Sequence, residues 1–110
     1  MESGEANSLW ERAAGVGELA EGEALAVRIG EKRIALYKVE GQFYATDEIC
    51  THQYAHLSEG YLDQWEIECP LHQARFDIRT GEALCSPATC GLATYPVRVA
   101  GDELQVKLDG

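Results

Sequence analysis

Cys50-Thr51-His52 and, sixteen residues further on, Cys69-Pro70-Leu71-His72 are two mixed pairs of metal-binding side chains. Each pair offers one soft thiolate and one neutral imidazole. In Cys-x-His the two side chains lie two residues apart, where an extended loop points them to opposite sides. Pro70 restricts Cys69 to extended geometry, so the second pair works the same way from a tighter turn. Placed on adjacent loop tips, Cys50, His52, Cys69 and His72 would enclose one compact site. Two metals suit such a donor set. Zinc accepts two cysteines and two histidines in a tetrahedron, but its usual spacings put both cysteines in one knuckle and both histidines in another. A [2Fe–2S] centre with two cysteines on one iron and two histidines on the other accounts for mixed pairs directly.

Outward from the pairs, the flanking residues are Leu57-Ser58-Glu59-Gly60-Tyr61-Leu62, Glu68-Cys69-Pro70-Leu71-His72-Gln73 and Phe76-Asp77. With Cys-Thr-His, this set resembles the Rieske-type ferredoxins that serve bacterial aromatic-ring dioxygenases, and the similarity runs from about Trp10 to Leu108. The resemblance implies an all-β Rieske fold, an antiparallel sandwich or incomplete barrel with an inserted cluster-binding subdomain. It implies one Rieske [2Fe–2S] cluster, with Cys50 and Cys69 on the buried iron and His52 and His72 on the exposed one. It further implies an electron carrier with no catalytic residues and no small-molecule substrate. Such a carrier takes one electron from an NADH-dependent flavoprotein ferredoxin reductase and passes it to a terminal ring-hydroxylating oxygenase. The same-fold rival is a small subunit of a nitrite reductase, and the rival of a different class is a structural zinc module. An enzymatic reading would need a carboxylate to complete a facial triad around mononuclear iron. Asp47 and Glu48 are the nearby acids.

Absences refine the expectation. Rieske proteins of quinol-oxidising chains carry an extra cysteine in each loop, joined as a disulfide. The matching positions here are Ala55 and Leu71. Those proteins also place a serine and a tyrosine hydroxyl near the cluster sulfurs, where this chain has Ala74 and Phe76, neither of which can donate through its side chain. Fewer donors stabilise the reduced cluster less, so the midpoint is expected near the low end, roughly −150 mV. The ferredoxins usually have glycine where this chain has Gln53 and Ala74. Ser86-Pro87-Ala88 is similar to their proline-containing loop that shields the cluster, and equally resembles an ordinary turn. His56 reads as a polar surface histidine, Cys85 as a small buried hydrophobe, and Trp10 and Trp65 as packing residues. Cys90 has no assigned role.

The remainder of the chain reads as short strands between turn signals. Strands are expected over 10–14, 24–29 and 33–39, then 42–46 after a two-residue Glu40-Gly41 hairpin turn. Together these read as a β-meander. Further candidates are 61–63, 65–68 and 74–77, followed by a turn over 77–81. A final hairpin pairs 92–99 with 103–108 around Ala100-Gly101-Asp102. A helix over 16–21 is weakened by Gly15, Gly17 and Gly22. Residues 1–110 are read as one domain, with a cluster-binding unit over about 48–80.

Size and composition set the outer bounds. A chain of 110 residues buries roughly 65% of its unfolded surface and needs no disulfide to be stable. Four cysteines outside an oxidising compartment point to metal rather than to a disulfide framework. No apolar run is long enough to span a bilayer. Residues 1–7 lack a basic, apolar leader pattern, so the expected location is cytoplasmic. The net charge is −10, which repels nucleic-acid phosphates and anionic membranes and suits docking on basic surfaces.

Overall fold

The computed structural model describes residues 10–49, 56–70, 74–84 and 91–108. The strands are β1 (Trp10–Gly15), β2 (Ala24–Ile29), β3 (Lys32–Val39), β4 (Gln42–Asp47), β5 (Tyr61–Asp63), β6 (Glu66–Glu68), β7 (Arg75–Asp77), β8 (Thr94–Tyr95), β9 (Val97–Ala100) and β10 (Glu103–Lys107). They form three antiparallel sheets, ordered β1-β10-β9, β2-β3-β4-β8 and β5-β6-β7. The all-β, antiparallel architecture expected from the sequence is the one observed.

Strand β3 organises the core because its side chains alternate between two packed faces. Ile34 and Leu36 point into one cluster with Ala14, Ala45, Leu104 and Val106. Ala35, Tyr37 and Val39 point into the other, with Leu57, Ile67, Phe76 and Ile78. A strand covered on both sides reads as a near-continuous apolar run, which is how 33–39 reads. The single polar tip in its middle is satisfied: the Tyr37 hydroxyl shares a 3.0 Å hydrogen bond with Thr46 Oγ1. Burial raises the Tyr37 pKa well above the ordinary phenol range.

The β3–β4 hairpin turns at Glu40 and Gly41, both with positive φ (53° and 78°), as a two-residue turn that follows the strand twist requires. The Glu21 carboxylate accepts both turn amides. Its pKa is lowered by these backbone hydrogen bonds, from Gly41 and Glu40 in that order.

Four expectations need correction. Strand β1 does not join the meander of β2, β3 and β4; it pairs with β10, with a register shift between Arg12 and Ala14. Periodicity identifies a strand but carries no record of its partner. The expected strand over 92–99 is two strands in two sheets: β8 pairs with β4 and β9 with β10. Pro96 stands between them, where a missing N–H interrupts any continuous ladder, while its carbonyl accepts the Lys107 amide at 3.0 Å. Trp65 belongs to the tight turn between β5 and β6, and the preceding Gln64 has φ 57°. The weak helix over 16–21 shrinks to a single 3-10 turn, Val16–Glu18.

Candidate metal centre

The sheet β5-β6-β7 lies in sequence between β4 and β8 and carries one wall of the candidate site. Cys69 follows β6 directly and is 1% exposed. It packs in one apolar cluster with Leu57, Ile67, Ala74 and Phe76. Its amide donates to the Ala74 carbonyl at 2.7 Å, so the segment between them is closed at its base. Ala74 and Phe76 are fully buried. Neither side chain carries a hydroxyl into this region.

The other wall grows from the end of β4. Asp47 is fixed there by the Tyr95 hydroxyl, which donates to Oδ1 at 2.6 Å. Burial, then the neighbouring Asp47 carboxylate, push the Tyr95 phenol pKa upward. The Glu48 amide donates to the Arg33 carbonyl at 3.0 Å. Ile49 and His56 form an antiparallel bridge, and the Leu57 amide donates to the Glu48 carbonyl at 2.8 Å. A 3-10 turn, Leu57–Glu59, follows and leads through Gly60 into β5.

Gly60 joins the two walls. A Cβ at this position would stand 2.0 Å from the Glu68 carbonyl oxygen and 3.2 Å from that of Leu57. Only hydrogen fits there. The return of the first segment therefore lies directly against the residue that precedes Cys69.

Of the four expected ligands, Cys69 lies among the described residues and is buried. Cys50, His52 and His72 lie outside the described residues. So do Gln53, Ala55, Leu71, Cys85, Ser86-Pro87-Ala88 and Cys90. The described flanks bring the bases of the two ligand segments side by side. A soft, water-shielded sulfur beside apolar side chains suits the inner iron of a sulfide cluster. The facial-triad reading finds no support: Asp47 is hydrogen-bonded to Tyr95, and Glu48 is spent on the contacts that follow. Among the described residues, no group of three or more His, Cys, Asp or Glu side chains could hold a metal ion.

Glu48 is the residue that sequence reasoning misjudged. Its side chain is 2% exposed, and among the described residues it accepts three hydrogen bonds. The Ser58 amide donates at 3.0 Å and the Ser58 hydroxyl at 2.7 Å. His56 Nδ1 lies 3.1 Å away. His56 keeps 41% of its side chain exposed, a polar surface histidine as expected, with its ring held by this contact. The only cue in the sequence is an acid and a serine flanking the Cys-x-His segment, a pattern that acidic surface loops share.

In the turn before β6, Trp65 is half-buried and packs against the same apolar cluster as Cys69. Its Nε1 donates to the Tyr44 hydroxyl at 3.3 Å, and the Arg79 guanidinium lies over its ring at 4.7 Å. Arg79 is itself held by both carboxylate oxygens of Asp77. Trp10 similarly lies under Arg98, at 4.4 Å. Both tryptophans pack partly buried, as expected.

Residues 9–96 match the family model of the Rieske [2Fe-2S] domain. The naphthalene 1,2-dioxygenase system ferredoxin component of Pseudomonas putida is 50% identical over 100 residues, covering 91% of this chain and 94% of that protein. A chain in the complex of reduced oxygenase and oxidised ferredoxin of carbazole 1,9a-dioxygenase superposes with TM-score 0.84 at 39% identity, covering 90% of this chain and 93% of that one. The Sphingomonas yanoikuyae B1 ferredoxin gives TM-score 0.85 at 37% identity, over 88% of this chain and 96% of that one. A putative nitrite reductase small subunit from Mycobacterium tuberculosis shares the fold, with TM-score 0.78 at 22% identity over 88% of this chain and 92% of that one.

Proposed function

The chain belongs to the Rieske [2Fe–2S] family, among the ferredoxin components of ring-hydroxylating dioxygenase systems, and from that premise we propose that Cys50, His52, Cys69 and His72 hold its cluster. Cys50 and Cys69 bind the inner iron, and His52 and His72 the outer one. The protein is an electron carrier rather than an enzyme, and its cofactor is a [2Fe–2S] cluster, which supplies a one-electron couple when bound. The zinc reading loses its basis with the family match. Likeness to nitrite reductase subunits extends to the fold alone.

The observation that carries the ligand assignment is the buried Cys69 thiol at a closed loop base, with the base of the Cys50–His52 segment brought alongside by Gly60. Cys69 and its apolar neighbours shield the inner side from water. The residues from about 48 to 80 serve as the cluster-binding unit of a single domain spanning 1–110. Electrons reach the carrier from an NADH-dependent flavoprotein reductase and leave it for a terminal aromatic-ring oxygenase. The relative solved together with its oxygenase supports the second half of that route. The setting is cytoplasmic; among the described residues no helix is long and apolar enough to cross a membrane.

A redox titration at pH 7 of anaerobically purified protein, followed by EPR, tests this reading. The expected result is a Rieske-type signal with a midpoint of roughly −150 mV, because Ala74 and Phe76 offer no hydroxyl to the cluster sulfurs. A strongly positive midpoint would contradict that argument. Cys50→Ser, His52→Ala, Cys69→Ser and His72→Ala should each abolish the signal, and a wild-type signal from any of them removes that residue from the ligand set.

A further inference from the structure

We propose that Glu48 is a positioning residue for the cluster: its buried carboxylate ties the two flanks of the Cys50–His52 segment together and sets that segment against the one bearing Cys69. The inference rests on the ligand assignment above. A carboxylate removed from water is strongly unfavourable unless donors replace the lost hydration. Glu48 is 2% exposed and directly follows the last residue of β4. Among the described residues three donors face it, from the far flank of the segment: His56 Nδ1, the Ser58 amide and the Ser58 hydroxyl. The backbone repeats the tie, since the Glu48 carbonyl accepts the Leu57 amide.

From Ser58 the path to the second segment is short. Gly60 donates to the Leu57 carbonyl at 2.9 Å and lies against the Glu68 carbonyl. Glu68 precedes Cys69, whose amide is bound to Ala74. The carboxylate thus anchors a continuous run of backbone contacts from one ligand segment to the other. A hydrogen-bonded outer tie of this kind orients metal ligands without touching the metal.

The test compares wild type, Glu48→Gln, Glu48→Asp and Ser58→Ala, all purified with their clusters. Two quantities are read: the g-values of the reduced protein by EPR, and the rate of iron loss to a chelator. Melting temperature is recorded separately. Glu48→Gln keeps the size of the side chain but turns one acceptor oxygen into a donor, facing donors that need acceptors. It should shift the g-values and speed iron loss at least tenfold. Ser58→Ala should shift both in the same direction by less, since the amide donor survives. Glu48→Asp should fall between wild type and Glu48→Gln. Wild-type g-values in both Glu48→Gln and Ser58→Ala overturn the proposal, whatever the melting temperatures. If Glu48→Gln does not fold, Ser58→Ala alone decides. Absence of a Rieske signal in the wild-type protein is the separate outcome that overturns the ligand assignment itself.

Discussion

At Gly60 the backbone passes so close to Glu68 that no side chain fits, although its φ of −83° is one that any residue adopts. The requirement is therefore steric and not conformational. Gly60→Ala forces a methyl group against a carbonyl oxygen 2.0 Å away, and the backbone must move to admit it. Overpacking of this kind costs about 3 kcal/mol, or roughly 15 °C in Tm for a domain of this size. A thermal melt of the holoprotein should show that loss, with a fall in bound iron at 25 °C because the displaced backbone is the one leading to Cys69. An unchanged melt would mean that the two walls separate more easily than their contacts imply. The two Cys/His pairs stand out in the sequence because their chemistry is rare and their spacing specific. Glu48 does not, because burial is a property of the folded neighbourhood, and an acid beside a loop reads by default as solvated.

Short elements follow the sequence closely wherever a turn residue has one job. Glu40 and Gly41 make the hairpin turn that their identity suggests, and Asp77 to Gly81 turns as expected, with the Gly81 amide donating to the Asp77 carbonyl at 2.6 Å. Pairing partners were less legible. Strand β1 and the split at Pro96 depend on contacts between residues far apart in the chain, which alternation does not encode. The turn after β7 gives a prediction of its own. The Asp77 carboxylate accepts the Arg79 amide at 2.8 Å and a two-point bond from its guanidinium. The guanidinium bond is the largest cause of a lowered Asp77 pKa. A lowered folded-state pKa means that the contribution is complete above the ordinary aspartate range and fades as pH falls through the folded value. Asp77→Asn should therefore lower Tm at pH 7, and the gap to wild type should narrow below about pH 4. The Arg79 side chain is about half exposed, so after solvent screening the effect is at most about 1 kcal/mol. Melting curves from pH 7 down to pH 3 would check it, and a gap that widens in acid contradicts the assignment.

As a whole, the molecule is an acidic body with a net charge of −10. The cluster leaves that figure almost untouched, since a doubly positive oxidised core and two thiolates cancel and reduction adds one negative charge. Charge therefore steers encounter without reporting redox state. Electron delivery to the proposed oxygenase should slow as salt rises from 0.05 to 0.5 M, because the Debye length shrinks from above to below about 10 Å over that range. Stopped-flow rates would show this, and a salt-independent rate would argue against docking on a basic surface. The three sheets also differ in how they resist being taken apart. Trp10 stands opposite Lys107, and the β1–β10 ladder runs from that pair to Gly15 and Glu103. Both chain ends thus enter the body at the same end of one antiparallel ladder. Tension applied through them loads its cross-strand bonds singly and in succession, as a zip opens, and never all at once in shear. Under such a load the β1–β10 ladder opens first, and the separate β5-β6-β7 sheet lies outside that line of force.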